Sequence, residues 1–254
     1  MIDIHSHILP GLDDGSPDLE TSVAMARLAA QCGTTDIVAS PHADFSYSFD
    51  PAVVEAGIAE LSRACENVVR IHYGCDFHLH FDNVQDAVAR PDRYTLNHKN
   101  YLLVELSDLL ALKGTEDALQ RLASAGIRTI ITHPERNAVL QNRLDTLAQW
   151  VEEGIFLQVT AQSILGSFGK RARQCAVQLL RRGLVHFVAS DGHGASRRPP
   201  RLDEARQWVS EEFDDVTAGR LFLEYPAAAL VGEDVPAGRV PVPPPRRRWY
   251  SFWR

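Results

Sequence analysis

Two histidines stand two residues apart near the start of the chain, and an acidic turn follows them. The opening residues read MIDIHSHILPGLDDG, which places His5 and His7 in a stretch that predicts a β-strand. Because residues i and i+2 of a strand share one face, we expect the two imidazoles to lie side by side, where they could chelate a cation. Two half-exposed histidines without any ligand are the alternative, and the rest of the sequence has to decide.

More imidazole and carboxylate side chains lie near the carboxyl ends of the strands that follow. Six of the seven predicted strands deliver at least one residue of this set: His5, His7, Asp13, His42, Asp76, Glu105, His133, Asp191 and His193. Glu105 lies in the apolar stretch YLLVELS, where an unpaired buried carboxylate would be costly. Joint coordination of cations would remove that cost, so the pattern predicts a metal site.

Short apolar runs alternate with helical patterns along most of the chain. The predicted strands cover residues 2–5, 36–40, 70–74, 101–106, 129–132, 156–160 and 186–190. Repeated strand–helix units predict a parallel sheet, and seven strands favour a closed barrel. A doubly wound sheet is the alternative, but no glycine-rich phosphate loop follows the first strand. In a parallel barrel the carboxyl ends of the strands form the active-site face.

The helices between these strands carry recognisable end signals. They are predicted after Ser16-Pro17, with Ser16 as the N-cap, and over about 51–65, 115–125, 142–153, 168–182 and 201–212. A glycine in the left-handed conformation is expected to end four of the helical runs, at Gly33, Gly126, Gly154 and Gly183.

Composition narrows the class of protein. The 254 residues carry a net charge of −7, so there is no overall basic footprint for nucleic acid. The first residues do not have the pattern of a signal peptide, and no run is long and apolar enough to span a bilayer. The four cysteines are widely spaced, which is typical of reduced thiols in a cytoplasmic protein.

The motifs together resemble one family. The chain is similar to the PHP (polymerase and histidinol phosphatase) superfamily, and within it to the bacterial capsular and exopolysaccharide tyrosine phosphatases of the CpsB type. The resemblance rests on motifs in the family's order across about residues 1–230: DIHSHILPGLDDGS, SPH, GCDFHL, YLLVELS, HPER, QVTAQSILGSFG and ASDGH. It implies an α/β fold, a distorted TIM-like barrel of seven βα units, that binds three divalent metal ions.

The resemblance also implies a set of ligands, carried over by position. His5, His7 and Asp191 would hold one ion; Asp13, His42 and His193 a second; and Glu105 with His133 a third. Asp76 would bridge two ions, although better-known members carry glutamate there. His78 and His80 share the predicted strand face of Asp76, so they could substitute as ligands, although we expect them to be surface histidines or outer partners of the site.

The chemistry of the ligand set agrees with phosphate-ester hydrolysis. Mixed nitrogen and oxygen ligands without thiolate suit manganese, iron or zinc, and the family favours manganese. Clustered ions can generate hydroxide at neutral pH and clamp the attacking and leaving oxygens. The resemblance implies that Arg136 and Arg198 grip phosphate oxygens, and with them Asp191 and His193 complete the predicted catalytic set; Arg198 could instead be a solvated loop charge.

Three other functions compete with a metal-dependent tyrosine phosphatase. A cysteine phosphatase needs C-x5-R on a phosphate-binding loop, and the match at Cys175 to Arg181 falls in a helical pattern. A PHP phosphoesterase for a small substrate such as histidinol phosphate would need recognition loops. The stretch 43–50, with Phe45, Tyr47 and Phe49, is a candidate rim. A non-catalytic scaffold of the polysaccharide export machinery would be expected to lose ligands.

The last part of the sequence differs in character. We divide the chain into a catalytic domain, residues 1–231, and a tail, residues 232–254, that is expected to lie outside the core. The tail ends in PPPRRRWYSFWR, which could contact an anionic membrane peripherally or strap a homo-oligomer. The family suggests a phosphotyrosine protein as the substrate, namely the tyrosine-rich tail of a bacterial tyrosine kinase that controls polysaccharide export.

Overall fold

The computed structural model describes residues 1–107 and 112–244, and at its centre is a ring of parallel strands. All seven predicted strands are present within a residue or two, and two short strands are added to them. In chain order the strands are β1 Ile2–Ser6, β2 Asp36–Ala39, β3 His42–Ala43, β4 Arg70–Tyr73, β5 Asp76–His78, β6 Tyr101–Glu105, β7 Arg128–Thr132, β8 Phe156–Thr160 and β9 Phe187–Ala189.

The two added strands continue earlier ones beyond a bend. β3 follows β2 after Ser40-Pro41, and β5 follows β4 after Gly74-Cys75; β2 pairs with β4, and β3 pairs with β5. A Cβ atom on Gly74 would lie 2.4 Å from Cγ1 of Val38, so the second bend requires glycine at this close approach. Each bent pair therefore occupies one position in the ring.

The ring closes between its last and first strands. β5 to β9 pair in chain order, β1 pairs with β2, and the Asp191 amide donates to the His5 carbonyl at 2.9 Å. The His7 amide in turn donates to the Gly192 carbonyl at 2.9 Å. The predicted distorted barrel of seven strand positions is thus confirmed, and its closure brings the loops after β1 and β9 together.

Helices surround the ring. They are α1 Leu19–Gln31, α2 Pro51–Ala64, α3 Phe81–Ala89, α4 Leu112–Ser124, α5 Leu144–Glu152, α6 Ala161–Leu165, α7 Gly169–Arg181, α8 Asp203–Glu212, α9 Asp215–Gly219 and α10 Tyr225–Val231, with a π-helical turn at Arg220–Glu224. We had not predicted α3, α6, α9 or α10. Among the described residues, no helix combines the length and apolar character needed to cross a membrane.

The end signals of the helices were partly correct. Gly33, Gly126, Gly154 and Gly183 all have positive φ, as predicted. The predicted N-cap was wrong, because Asp18 caps α1 and accepts a hydrogen bond from the Thr21 amide at 2.8 Å. The Ser16 hydroxyl instead donates to the Asp18 carbonyl at 3.0 Å.

The described part of the tail packs on the barrel, which corrects our expectation that it lies outside the core. Val235 and Val240 are buried, and the Val240 amide donates to the Gly183 carbonyl at 2.7 Å. The Tyr101 hydroxyl accepts from the Val235 amide at 2.9 Å. Because Gly183 precedes β9 and Tyr101 starts β6, residues 232–244 cross the amino end of the barrel, opposite to the predicted site.

Replacing Gly183 tests this packing. Gly183 has φ +67°, and a Cβ atom there would lie 2.3 Å from the Val240 carbonyl oxygen. We expect Gly183→Ala to lower the free energy of unfolding by about 1–2 kcal/mol for the left-handed backbone. The clash with the tail should add about 1 kcal/mol or more. Urea unfolding measures the total, and limited proteolysis should show faster cleavage within 232–244.

Gly126→Ala is the matched control. Gly126 also ends a helix with positive φ, 81°, but a Cβ atom there would meet nothing within 4 Å. The control should show the backbone cost without faster cleavage of the tail. Equal losses of stability in the two variants would contradict the packing of residues 232–244.

Candidate metal centre

The carboxyl end of the barrel gathers all nine predicted ligands into one connected cluster. Each side chain places a nitrogen or oxygen atom within 4.0 Å of another member: His5, His7, Asp13, His42, Asp76, Glu105, His133, Asp191 and His193. Nε2 of His5 and Nε2 of His7 are 3.2 Å apart. The shared strand face predicted for these two histidines therefore does bring them together.

Three groups in the described chain have the spacing of a cation site. In each group the candidate ligand atoms lie within 4.8 Å of one another: His7, Asp14, His42 and His193; His5, His7 and Asp76; His42, Asp76 and Glu105. The groups share His7, His42 and Asp76, so they form a chain of adjoining sites. Imidazole nitrogens and carboxylate oxygens without thiolate match a borderline divalent cation such as manganese, iron or zinc.

Three of the histidines are held so that Nε2 faces the cluster. The Nδ1 atoms lie at hydrogen-bond distance from acceptors: 3.0 Å from Gln158 Oε1 for His5, 2.6 Å from Asp13 Oδ2 for His7 and 2.9 Å from the Asp191 carbonyl for His193. With Nδ1 donating its proton, Nε2 keeps its lone pair for a cation. Gln158 has this role without having been predicted, because glutamine is absent from the usual list of ligands.

Asp14, rather than Asp13, faces the pair formed by His42 and His193. Oδ1 of Asp14 lies 3.4 Å from Nε2 of each histidine. Both oxygens of Asp13 already have other partners. Oδ2 binds the ring of His7 and accepts from the His42 amide at 3.1 Å, and Oδ1 accepts from the Gly15 amide. Our placement of Asp13 among the ligands is therefore not what the geometry favours.

The acidic turn explains why Asp14, and not Asp13, faces the two histidines. Oδ1 of Asp13 accepts from the Gly15 amide at 2.9 Å, the bond that an aspartate makes to its own backbone two residues on. A Cβ atom on Gly15 would lie 2.3 Å from the His7 carbonyl oxygen, so the turn packs tightly under β1. This Asp-x-Gly signal was present in the sequence and could have distinguished the two aspartates.

Asp76 occupies the centre of the cluster despite being one carbon shorter than glutamate. Its Oδ2 lies 3.4 Å from Nε2 of His5 and 3.3 Å from Nδ1 of His42. Oδ2 of Asp76 and Nδ1 of His42 are buried, and neither makes a hydrogen bond among the described residues. Two such atoms without hydrogen bonds would be costly, and a cation between them would satisfy both.

The two alternative histidines behave differently. Nδ1 of His78 lies 3.9 Å from Oε2 of Glu105, at the edge of the cluster. His80 turns away from the site, where its Nδ1 caps α3 by accepting from the Asn83 amide and its ring stacks on Phe45 at 4.3 Å. His78 thus stays a candidate ligand, and the geometry places His80 outside the site.

Two of the predicted ligands have unusual backbones. His133 and Asp191 have positive φ values of 34° and 52°, a region that costs non-glycine residues energy and is found at functional sites. Burial, together with the Arg136 charge, lowers the pKa of His133 to about 4. The imidazole of His133 is consequently neutral at physiological pH, as metal ligation requires.

Asp191 connects the histidines to both predicted arginines. Its Oδ1 lies 3.4 Å from Nε2 of His7, while Oδ2 accepts hydrogen bonds from Nη1 of Arg136 and Nη2 of Arg198. Burial tends to raise the pKa of Asp191, but the neighbouring imidazoles and Arg136 hold it well below its usual range. Both arginines therefore lie beside the cluster, and Arg198 is not a solvated loop charge.

The arginines also contact an aromatic ring that we had not singled out. Cζ of Arg136 lies 4.4 Å, and Cζ of Arg198 5.6 Å, from the centroid of Phe168. Phe168 was within a motif that we quoted, but a phenylalanine beside a helix carries no chemical signal by itself.

The predicted aromatic rim is only partly formed. Tyr47 stacks on His42 with ring centroids 6.0 Å apart, whereas Phe45 is 82% exposed and stacks on His80. Phe49 is buried and packs on Tyr94 at 5.4 Å, so it belongs to the core.

The cysteine of the C-x5-R match cannot serve as a nucleophile. Cys175 lies inside α7 and is buried, and burial with the Glu135 charge raises the pKa of its thiol to about 12. A thiolate nucleophile needs a lowered pKa and an accessible sulfur. The interpretation of Cys175 as a core residue is therefore correct.

Comparison with known proteins identifies the family of this chain. A family model described as capsular polysaccharide synthesis, CpsB/CapC, matches residues 1–231. The chain belongs to the CpsB/CapC family. The resemblance stated from the motifs is thereby confirmed, and the packed segment 232–244 lies beyond the matched region.

Individual members of the family carry phosphatase names. The chain is 32% identical to the tyrosine-protein phosphatase YwqE of Bacillus subtilis over 100% of both proteins. It is 29% identical to the tyrosine-protein phosphatase CpsB of Streptococcus agalactiae, covering 91% of this chain and 98% of that protein.

Solved structures agree in the fold. A structure described for YwqE from Bacillus subtilis and CpsB from Streptococcus pneumoniae, unique metal-dependent tyrosine phosphatases, matches with a TM-score of 0.87 at 31% identity, covering 95% of this chain and 100% of that one. A lactonase from Listeria monocytogenes matches with a TM-score of 0.60 at 13% identity, over 92% and 95% of the two chains, and shares the fold alone.

Paired substitutions separate the roles of Asp13 and Asp14 in the CpsB/CapC site. We expect Asp14→Asn to lower the number of manganese ions retained per chain, because it removes a carboxylate that faces two histidines. Asp13→Asn should keep the number of sites and weaken manganese affinity by roughly 10- to 100-fold, since it removes an outer partner of His7. Elemental analysis and manganese titration measure the two effects. Loss of an ion from Asp13→Asn alone would reverse the assignment.

Proposed function

We propose that this protein is a metal-dependent protein-tyrosine phosphatase. The observation that carries the proposal is the position of Asp191, whose two oxygens face the histidine cluster on one side and two arginines on the other. A phosphate monoester needs both kinds of group, cations to activate water and fixed positive charge to hold its oxygens. Membership of the CpsB/CapC family supports the same activity.

We assign the ligands to three divalent ions as follows. His5, His7 and Asp191 would hold one ion; Asp14, His42 and His193 would hold a second; Glu105 and His133 would hold a third, with His78 as a further candidate beside Glu105. Asp76 would serve two of the ions, and its distances of 3.4 and 3.3 Å to ring nitrogens of His5 and His42 support that role. Manganese is the proposed metal, and iron or zinc would suit the same donors.

Bound cations would supply an activated water at neutral pH and neutralise charge on the phosphate. The four ligand carboxylates Asp14, Asp76, Glu105 and Asp191 bring four negative charges against six from three divalent ions. The loaded site therefore keeps a positive balance for a phosphate dianion. Asp191 and His193, which we included in the catalytic set, would act as ligands that keep the cations next to the two arginines.

The two guanidinium groups bind the phosphate. Arg136 and Arg198 both donate to Oδ2 of Asp191, and each has further N–H donors in its planar fork. A phosphate beside Asp191 would therefore be within reach of N–H donors from both guanidinium groups. Pairing with Asp191 keeps both side chains near that position before the substrate arrives.

The proposed substrate is phosphotyrosine in a protein, namely the tyrosine-rich tail of a bacterial tyrosine kinase that controls capsule or exopolysaccharide synthesis. We place the reaction in the cytoplasm, where such a kinase tail would be accessible. Membrane contact or oligomer formation through PPPRRRWYSFWR remains a prediction, since residues 245–254 lie outside the described residues.

Metal-dependent turnover tests the function. Purified protein should hydrolyse an aryl phosphate and a phosphotyrosine peptide, lose this activity on chelation and regain it better with Mn²⁺ than with Mg²⁺, because imidazole ligands suit Mg²⁺ poorly. Released phosphate is the readout, and histidinol phosphate is the comparison substrate. Full activity of metal-free protein would refute the mechanism, and faster turnover of histidinol phosphate would favour the small-molecule alternative.

The arginine and the thiol can be compared directly. We expect Arg136→Ala to lower kcat/KM by roughly 10²- to 10³-fold, the usual effect of removing one preorganised donor of positive charge. Cys175→Ser should leave kcat near that of the wild type, because the thiol is buried in α7. Steady-state kinetics at saturating Mn²⁺ measure both, and the opposite ranking would restore the cysteine-phosphatase alternative.

A further inference from the structure

We propose that Phe168 is a positioning residue that fixes the two phosphate-binding arginines relative to each other. This inference rests on the proposed function. Its basis is that both guanidinium groups contact one ring, with Cζ distances of 4.4 Å for Arg136 and 5.6 Å for Arg198 to the Phe168 centroid. The arginines come from different loops, after β7 and after β9, so no local backbone links them.

The two guanidinium groups repel each other, so contacts with other residues must hold them close together. In this structure both arginines donate to Oδ2 of Asp191 through one nitrogen each, and phosphate bound by their other N–H donors would compete with that bond. The face of an aromatic ring attracts a guanidinium group and does not compete for its N–H donors. Phe168 can therefore keep both side chains in place while their remaining N–H donors bind phosphate.

The turn that carries Phe168 is itself restrained. It lies between Gly166 and Gly169, which have φ values of 97° and 88°, and the Gly169 amide donates to the Gly166 carbonyl at 3.0 Å. The Ser167 amide donates to the Gln162 carbonyl at 2.9 Å. A turn with two left-handed residues fixes the direction of the side chain between them.

The same turn is connected to the loop of Arg198. Nε2 of Gln162 donates to the Pro199 carbonyl at 3.0 Å, and the Arg198 carbonyl accepts from the His193 amide at 2.8 Å. A cavity of about 870 Å³ lies beside these groups and is lined by Asp14, Phe168, His193 and Arg198, among others. The aromatic ring, one arginine and two candidate ligands thus surround a single opening.

Substitution of Phe168 tests the proposal on manganese-loaded protein. We expect Phe168→Leu to raise KM for an aryl phosphate and to weaken binding of inorganic phosphate, each by roughly 3- to 30-fold, the range of a lost cation–π contact. The kcat value should fall less, and manganese content should stay unchanged. Phe168→Tyr keeps the ring face and should restore both constants. Leu165→Ala, a change at a partly exposed residue of the same segment, is the matched control and should leave them unaltered.

A double-mutant cycle distinguishes positioning from a general effect on the fold. One side of the cycle is the combined variant that carries both Arg136→Ala and Arg198→Ala. In that variant Phe168→Leu should no longer weaken phosphate binding, because there are no guanidinium groups left to position. An undiminished effect in that background, or equal phosphate affinity of Phe168→Leu and the wild type, overturns the proposal.

Calorimetry with inorganic phosphate keeps this test separate from the proposed function. Phosphate binding by the manganese-loaded protein requires no turnover, so a loss on Phe168→Leu that Phe168→Tyr restores supports positioning even if aryl phosphates are not hydrolysed. Failure of the wild type to turn over any phosphotyrosine substrate contradicts the phosphatase and leaves the Phe168 result standing. Failure of the loaded wild type to bind phosphate overturns the Phe168 proposal as well.

Discussion

The carboxylate of Asp191 lies between the histidine cluster on one side and two arginines on the other, and the site depends on this position. One oxygen faces the imidazoles of His5, His7 and His193, and the other accepts from two guanidinium groups. Such a buried anion is tolerated only when its charge is balanced on every side. The barrel provides the balance by closing at this point, where the Asp191 amide donates to the His5 carbonyl.

Ring closure and site assembly are therefore one event. The bonds that join β9 to β1 also set the distance between Asp191 and the two histidines of the first strand. The left-handed backbone conformation of Asp191 costs energy, and it persists because these strand bonds and two arginines restrain the residue. Substitutions that loosen the last strand are for the same reason expected to disturb the site before they unfold the domain.

The two ends of the barrel are built differently. At the carboxyl end, hydrogen bonds orient imidazoles and leave buried polar atoms that a cation would satisfy. At the amino end, residues 232–244 cover the strand starts through backbone bonds and two buried valines. This separation of stability from chemistry is typical of barrel enzymes, where loops at one end can change while the other end holds the fold.

By itself the sequence determined the strands, their parallel order, the family and most residues of the cluster. The strands and the cluster residues follow from local periodicity and from polar residues at strand ends, such as Glu105 and His133, which need no knowledge of distant contacts. The family follows from the resemblance of its motifs. Only the tertiary structure decided between Asp13 and Asp14, because the choice depends on bonds from Asp13 to Gly15 and to the His42 amide in the next loop. It alone revealed Phe168 and the packed tail, since an apolar side chain or an extended segment acquires its role from what it touches after folding.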